Sequence, residues 1–188
     1  MISTAHPPTP TVSTWVARFA AAIKASGAVL DLACGSGRHA RYLAELGLQV
    51  EAVDRDAAAL AQLSGMPRVT TRCADLEGGA WPYAGRTFDA IVVTNYLHRP
   101  LFPLLAAALA PGAVLIYETF RLGNESYGKP SNPDFLLRPG ELLEFANTFR
   151  LGVLAFEDGF IAAPKPAMVQ RLCAIKPPFS APERGRLE

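Results

Sequence analysis

A short apolar run ends in a glycine turn that opens directly into a helical segment: Val29-Leu30-Asp31-Leu32-Ala33-Cys34-Gly35-Ser36-Gly37-Arg38-His39. A continuous apolar run of this length suits a strand buried on both faces, which needs helices above and below it. The rest of the chain repeats the pattern. Strands are expected over 28–32, 48–53, 69–73, 87–94 and 113–117, and helices over 38–46, 56–63 and 101–109. Asp56 is placed to cap the second of these helices, and Pro111-Gly112 to form the turn before the fifth strand. Such alternation predicts the α/β class, a doubly wound, mostly parallel sheet whose ligands bind at the carboxyl ends of the strands.

The flanks read differently. Val12, Trp15, Val16, Phe19, Ala20 and Ile23 recur on one face of a helix expected over 11–26. Residues 119–139 are rich in Gly, Pro, Asn and Ser without a period, and a loop of that length is expected to act as a lid. Two last strands, 150–157 and 168–176, have no helix-length segment between them, so an antiparallel hairpin is expected, turning at Asp158-Gly159 and 164–166. Residues 1–10 read as a mobile arm and 177–188 as a frayed tail, leaving a single domain over 1–188. Half of the residues are apolar and the net charge is +1, so no basic field gathers nucleic acid. Three scattered cysteines, no basic start to the chain and no uninterrupted apolar span fit a cytoplasmic protein with no metal site, no nucleic-acid partner and no membrane partner.

The glycine turn frees the backbone for close approach by a ligand, and the helix behind it offers unpaired N–H groups to a carboxylate or phosphate. Asp54 closes the second strand, where an acid holds the hydroxyls of a ribose. Asp75-Leu76 follows the third, where a carboxylate accepts from an adenine amino group and the leucine packs the ring. Gly35-x-Gly37-x-x-Ala40 also fits a dinucleotide fingerprint, which keeps a nicotinamide-linked oxidoreductase in play. Asp31, at the depth of the loop, decides between the two. It repels a pyrophosphate and attracts an ammonium or sulfonium. A ribose, an adenine, a carboxylate and a positive charge together describe S-adenosylmethionine.

These residues resemble the class I S-adenosylmethionine-dependent methyltransferases over about 28–176. Residues 29–37 match that family's glycine motif, Asp54 its ribose acid and Asp75 its adenine-contacting acid. Phe88-Asp89-Ala90-Ile91-Val92 matches its fourth strand and Pro111-Gly112 its turn. Residues 32–39 are most similar to the small tellurite-resistance-type members. The resemblance implies a seven-stranded Rossmann-like sheet ending in the antiparallel hairpin. It implies S-adenosylmethionine as cofactor, with S-adenosylhomocysteine as product, held by Asp31, Ala33, Gly35, Gly37, Asp54, Arg55, Asp75, Leu76 and Asn95. At Arg55 the family often has an apolar residue against the adenine; the arginine stem serves as the cover here.

For the acceptor, a small molecule is expected, reached by in-line displacement that needs alignment more than acid–base help. Tyr96, His98 and Glu118 are the catalytic candidates at the ends of strands four and five, and Trp15, Arg18, Tyr127 and Asn132 the candidate substrate contacts. A non-enzymatic module that binds S-adenosylmethionine is the further alternative, motivated by the lack of an obvious base. Neither the acceptor atom nor an oligomeric state follows from these residues.

Overall fold

The computed structural model describes residues 11–178; the arm expected over 1–10 and most of the expected tail lie outside the described residues. One seven-stranded sheet carries the fold, in the order β3-β2-β1-β4-β5-β7-β6. Central β1 (Ala28–Leu32) runs parallel to β2 (Gln49–Asp54) and β4 (Phe88–Thr94). Outside them, β3 (Val69–Cys73) and β5 (Leu109–Phe120) continue the parallel part. The last two strands, β6 (Gly152–Ile161) and β7 (Ala167–Ile175), form the antiparallel hairpin, with β7 against β5. The strand order reverses at β1 and β4, which places the ligand crevice above that pair.

Alternation along the strands builds two cores. On one side Leu30, Leu32, Ile91 and Leu115 meet Leu105 of α4 (Phe102–Ala108) and Phe145 of α5 (Glu141–Thr148). On the other, Val29, Val92 and Ile116 meet Trp15 of α1 (Thr14–Phe19), Leu43 of α2 (Arg38–Glu45) and Leu60 of α3 (Ala57–Ala61). Helices this short have little stability of their own, so the sheet holds them through these apolar faces.

Four boundaries differ from the sequence reading. The first helix ends at Phe19 and tightens into a 3₁₀ turn, Ala20–Ala22, well short of 26. Pro111-Gly112 is not a turn before β5 but an irregularity inside it. Phe88 pairs with Leu109 and Ala90 with Val114, and Gly112 sits at φ +77° with its N–H donating to the Lys176 carbonyl. Asp158-Gly159 is not a turn either. The Asp158 carboxylate pairs with Arg121 at 2.6 Å and accepts from the Gly140 N–H at 3.0 Å, so β6 runs on to Ile161 and the hairpin turns at 162–166. The segment 119–139 is internally ordered rather than featureless. Thr119 and Phe120 still belong to β5, 3₁₀ turns form at Asn124–Ser126 and Pro133–Phe135, and Arg121 bridges to Leu137. Buried Asn124 pins it, donating to the Pro130 carbonyl and accepting from the Met168 N–H.

Candidate active site

A cleft of about 380 Å³ opens at the carboxyl ends of the parallel strands. Ala33 lines it after β1, Asp54 and Arg55 after β2, and Asp75, Leu76 and Glu77 after β3. From β4 come Asn95, Tyr96 and Leu97, and from β5 Thr119 and Phe120, faced by Pro130 and Phe135.

The floor is the glycine turn. Ala33, Gly35 and Gly37 all have positive φ, at +52°, +55° and +76°. A side chain at Gly37 would meet the Leu63 side chain at 2.4 Å and would be strained by the left-handed backbone, so both favour glycine there. Nothing lies within 4 Å of where a Gly35 side chain would be, which leaves open space above the turn. The Gly35 N–H donates to Asp54 Oδ2 at 2.7 Å, and Asp56 N–H donates to Asp54 Oδ1 at 3.0 Å. Asp54 is thus fixed in place with acceptor capacity left over, since an ionised carboxylate offers about four lone-pair sites.

Asp31 is almost wholly buried and neither carboxylate oxygen has a hydrogen-bond partner. Burial pushes its pKa up to about 7, against the pull of the nearby Ala40 backbone N–H and of Arg38. A buried acid left this way is satisfied only by something added: a proton, a cation or a set of donors. Asp75 is the opposite case. The Glu77 and Gly78 backbone N–H groups hold its exposed carboxyl below the usual range.

Tyr96 lines the cleft with its hydroxyl buried and unpaired. Burial, then the charge and the hydrogen-bonding reach of the nearby Glu77 carboxylate, raises its pKa above the ordinary phenol value, so it stays protonated and can donate. Beside it, Asn95 adopts φ +55° and its N–H donates to the Glu118 carbonyl, locking the β4 end to β5.

Of the cofactor candidates, Ala33, Asp54, Arg55, Asp75, Leu76 and Asn95 line the cleft, while Asp31, Gly35 and Gly37 belong to the turn that floors it. The acceptor candidates divide. Tyr96 is in the cleft; His98 and Glu118 do not line it. Glu118 is the alternate residue to Thr119 and so faces the α1 side, where Arg171 binds it at 2.5 Å and lies over the Trp15 ring. Trp15 is core, its indole N–H donating to the Leu172 carbonyl. Arg18 sits over the Trp15 and Phe19 rings and pairs with Glu157. Tyr127 stacks on Phe160 at 5.1 Å, and the Asn132 side chain caps the Pro133–Phe135 turn; neither reaches the cleft wall.

Sequence reasoning named none of Glu77, Leu97, Thr119, Phe120, Pro130 and Phe135 as a contact, although it expected 119–139 to act as a lid. Period-two alternation from buried Ile116 was the available signal for Thr119 against Glu118; for Pro130 and Phe135 local sequence carried none. It also missed His39, which is buried. Its Nε2 accepts from the Ser13 N–H at 3.2 Å, so Nδ1 carries the proton and donates to Thr94 Oγ1 at 3.2 Å. Burial pushes its pKa down to about 3, and this neutral ring ties the start of α1 to the end of β4 beside the cleft.

Among the described residues no cluster of His, Cys, Asp or Glu is arranged to hold a metal ion, and no helix is long and apolar enough to cross a membrane. Residues 29–112 match a methyltransferase domain family. No curated protein sequence matches. Among solved structures, TehB from Haemophilus influenzae is similar with TM-score 0.75 and 20% identity, covering 90% of this chain. The chain spans 64% of that protein's length. A TehB-like S-adenosylmethionine-dependent methyltransferase from Corynebacterium glutamicum gives TM-score 0.62 and 20% identity, covering 87% of each chain. The Burkholderia thailandensis 1,6-didemethyltoxoflavin-N1-methyltransferase, solved with its substrate and S-adenosylhomocysteine, gives 0.63 and 20%, covering 87% of this chain and 77% of that one.

Proposed function

We propose that this chain is a class I S-adenosylmethionine-dependent methyltransferase, as its domain match over residues 29–112 and its fold support, and that it methylates a small-molecule acceptor in the cleft at the ends of β4 and β5. The observation that carries the reading is the convergence of five separate strand ends on one cleft, floored by an open glycine turn with an unpaired buried acid beside it. The residues fit the cofactor. Asp54 keeps free acceptor sites for two ribose hydroxyls, Asp75 and the Leu76 region suit the adenine edge, and Arg55 covers the ring with its stem. Gly35 and its neighbours leave room for the methionine carboxylate. Asp31 supplies the negative charge that an ammonium or sulfonium requires, and the same charge disfavours the pyrophosphate of a nicotinamide dinucleotide.

Bound there, S-adenosylmethionine supplies an electrophilic methyl group: the acceptor lone pair forms the new bond to carbon as the carbon–sulfur bond breaks, its electron pair remaining on sulfur. The chain's own residues act by placement. Asn95 and Thr119 fix the rim, Leu97 and Phe120 exclude water, and Tyr96 holds its proton and donates to one acceptor heteroatom. With Glu118 committed to Arg171, any acceptor proton leaves to solvent or to the cleft carboxylates. A small acceptor is supported by the cleft's size and by a similar fold methylating didemethyltoxoflavin. Calorimetry with S-adenosylhomocysteine and with NADH, followed by an acceptor screen that detects S-adenosylhomocysteine release, tests the reading. NADH binding without S-adenosylhomocysteine binding would refute it.

A further inference from the structure

The far wall of the cleft carries an aromatic ring that the fold does not need. Phe135 lines the cleft yet is 50% exposed. It stands in a short 3₁₀ turn, and the two carbonyls flanking it, of Asp134 and Leu136, both accept from Arg99, each at 2.9 Å. The same guanidinium binds the buried Glu141 carboxylate through Nε at 2.6 Å and NH2 at 3.0 Å. Glu141 also accepts from the Arg138 N–H at 2.7 Å, and Asn132 caps the turn from its other end. One arginine fork therefore grips the backbone on both sides of Phe135 and anchors it to α5. Holding the backbone around a half-exposed apolar residue this firmly presents its ring at the cleft; it makes sense as a ready-made contact surface.

The chemistry around the ring restricts what it contacts. Phe120 and Pro130 also line the cleft, and of its lining residues Tyr96 is the one with a buried polar atom that has no hydrogen-bond partner. The charged lining groups are Asp54, Asp75 and Glu77 against Arg55, all at the β2 and β3 ends. The lining is net negative, and the cation beside the aromatic wall, Arg99, has its guanidinium committed to the Glu141 carboxylate and to two backbone carbonyls. An oxyanion acceptor would meet repulsion and find no donor fork there.

Building on the methyltransferase reading, we infer that Phe135 is a specificity-determining residue for an uncharged, flat aromatic or heteroaromatic acceptor. The acceptor stacks on the Phe135 ring and takes one hydrogen bond from Tyr96. Stacking plus the ring's buried area amounts to about tenfold in affinity or more. The test is calorimetry with quinoline, a flat uncharged probe, and with selenite, on protein saturated with S-adenosylhomocysteine and on free protein. Quinoline should bind the wild type and lose at least tenfold in Phe135→Ala, while Phe135→Trp restores it. S-adenosylhomocysteine should bind wild type and Phe135→Ala within twofold of each other. Quinoline binding unchanged in Phe135→Ala, no quinoline binding at millimolar concentration, or selenite displacing quinoline would each overturn the inference. Failure of S-adenosylhomocysteine to bind would instead overturn the cofactor reading, and the Phe135→Ala comparison on free protein would still decide the wall.

Discussion

Asp31 concentrates the conflict between stability and binding in one side chain. Its carboxyl is raised from 3.8 to about 7 in the folded chain because burial penalises the charge. Between those two values the folded state keeps a proton that the unfolded state has released, so stability falls as pH rises through that window and levels off above it. Each tenfold rise in proton affinity on folding corresponds to about 1.4 kcal/mol, so the loss across the window amounts to a few kcal/mol. Asp31→Asn, neutral at every pH, should therefore raise the melting temperature of the ligand-free protein by several degrees at pH 8 and by much less at pH 5. The same variant should bind S-adenosylhomocysteine more weakly at pH 8, because the ligand's ammonium has lost its counter-charge. A melting temperature equal to that of the wild type at both pH values would mean that the carboxylate is not stranded. Asp54 poses a simpler question. Hydrogen bonds to a carboxylate are worth roughly 1.5–3 kcal/mol each. Two ribose hydroxyls are at stake, so Asp54→Ala should weaken S-adenosylhomocysteine binding by well over tenfold. A loss below tenfold in a variant still folded by circular dichroism would show that the ribose is held elsewhere.

At the scale of elements, the segment 119–139 divides into a frame and a tip. The frame is hydrogen-bonded to the sheet: Leu137 N–H donates to the Phe120 carbonyl and Leu122 N–H to that of Leu137. The tip is held mainly by the Asn124 side chain and by Tyr127 lying on Phe160. If the segment works as a lid, it moves at the tip alone. Hydrogen exchange should show slow amides at Leu122 and Leu137 in the free protein. Amides over 127–132 should exchange fast and slow down only when acceptor and S-adenosylhomocysteine are both present; equal rates in every state would leave a static segment. This division also explains what could be read from sequence. That Asp54, Asp75 and Asn95 line one cleft was legible because each lies at or just beyond the end of a strand marked by local composition, and parallel strands must bring those ends together. The opposite wall was not. Phe135 stands at the cleft in a turn whose backbone Arg99, from the turn that leads into α4, clamps, and no local pattern announces that clamp. Glu118 was misleading for the opposite reason. Its strand-end position is real, but alternation turns its side chain to the α1 face, where Arg171 occupies it.

Across the whole molecule, the sheet separates two cores that share no helix, one built on α1, α2 and α3 and the other on α4 and α5. The cleft crosses the edge where they meet. One side of it is Ala33 and Asp54 at the ends of β1 and β2, and its far side is Tyr96, Thr119 and Phe120 at the ends of β4 and β5. Neutral His39 adds a tie in the same region, from the start of α1 to Thr94. A ligand lying along the cleft touches loops from both halves of the parallel sheet, so its binding energy adds to the stability of the molecule as a unit. At a concentration about 100 times its dissociation constant, a ligand that binds only the folded state contributes about 2.7 kcal/mol. For a chain of this size that corresponds to a rise of roughly 5–10 °C in melting temperature. S-adenosylhomocysteine should produce a single, concentration-dependent rise of this size at pH 8. NADH at the same concentration should produce none, because its pyrophosphate meets the Asp31 charge beneath the glycine turn. Thermal melts followed by circular dichroism separate the outcomes. A split transition would mean that the two cores unfold independently and that the ligand bridges only one of them. An equal rise with NADH would mean that the turn tolerates a pyrophosphate and that Asp31 does not select the cofactor.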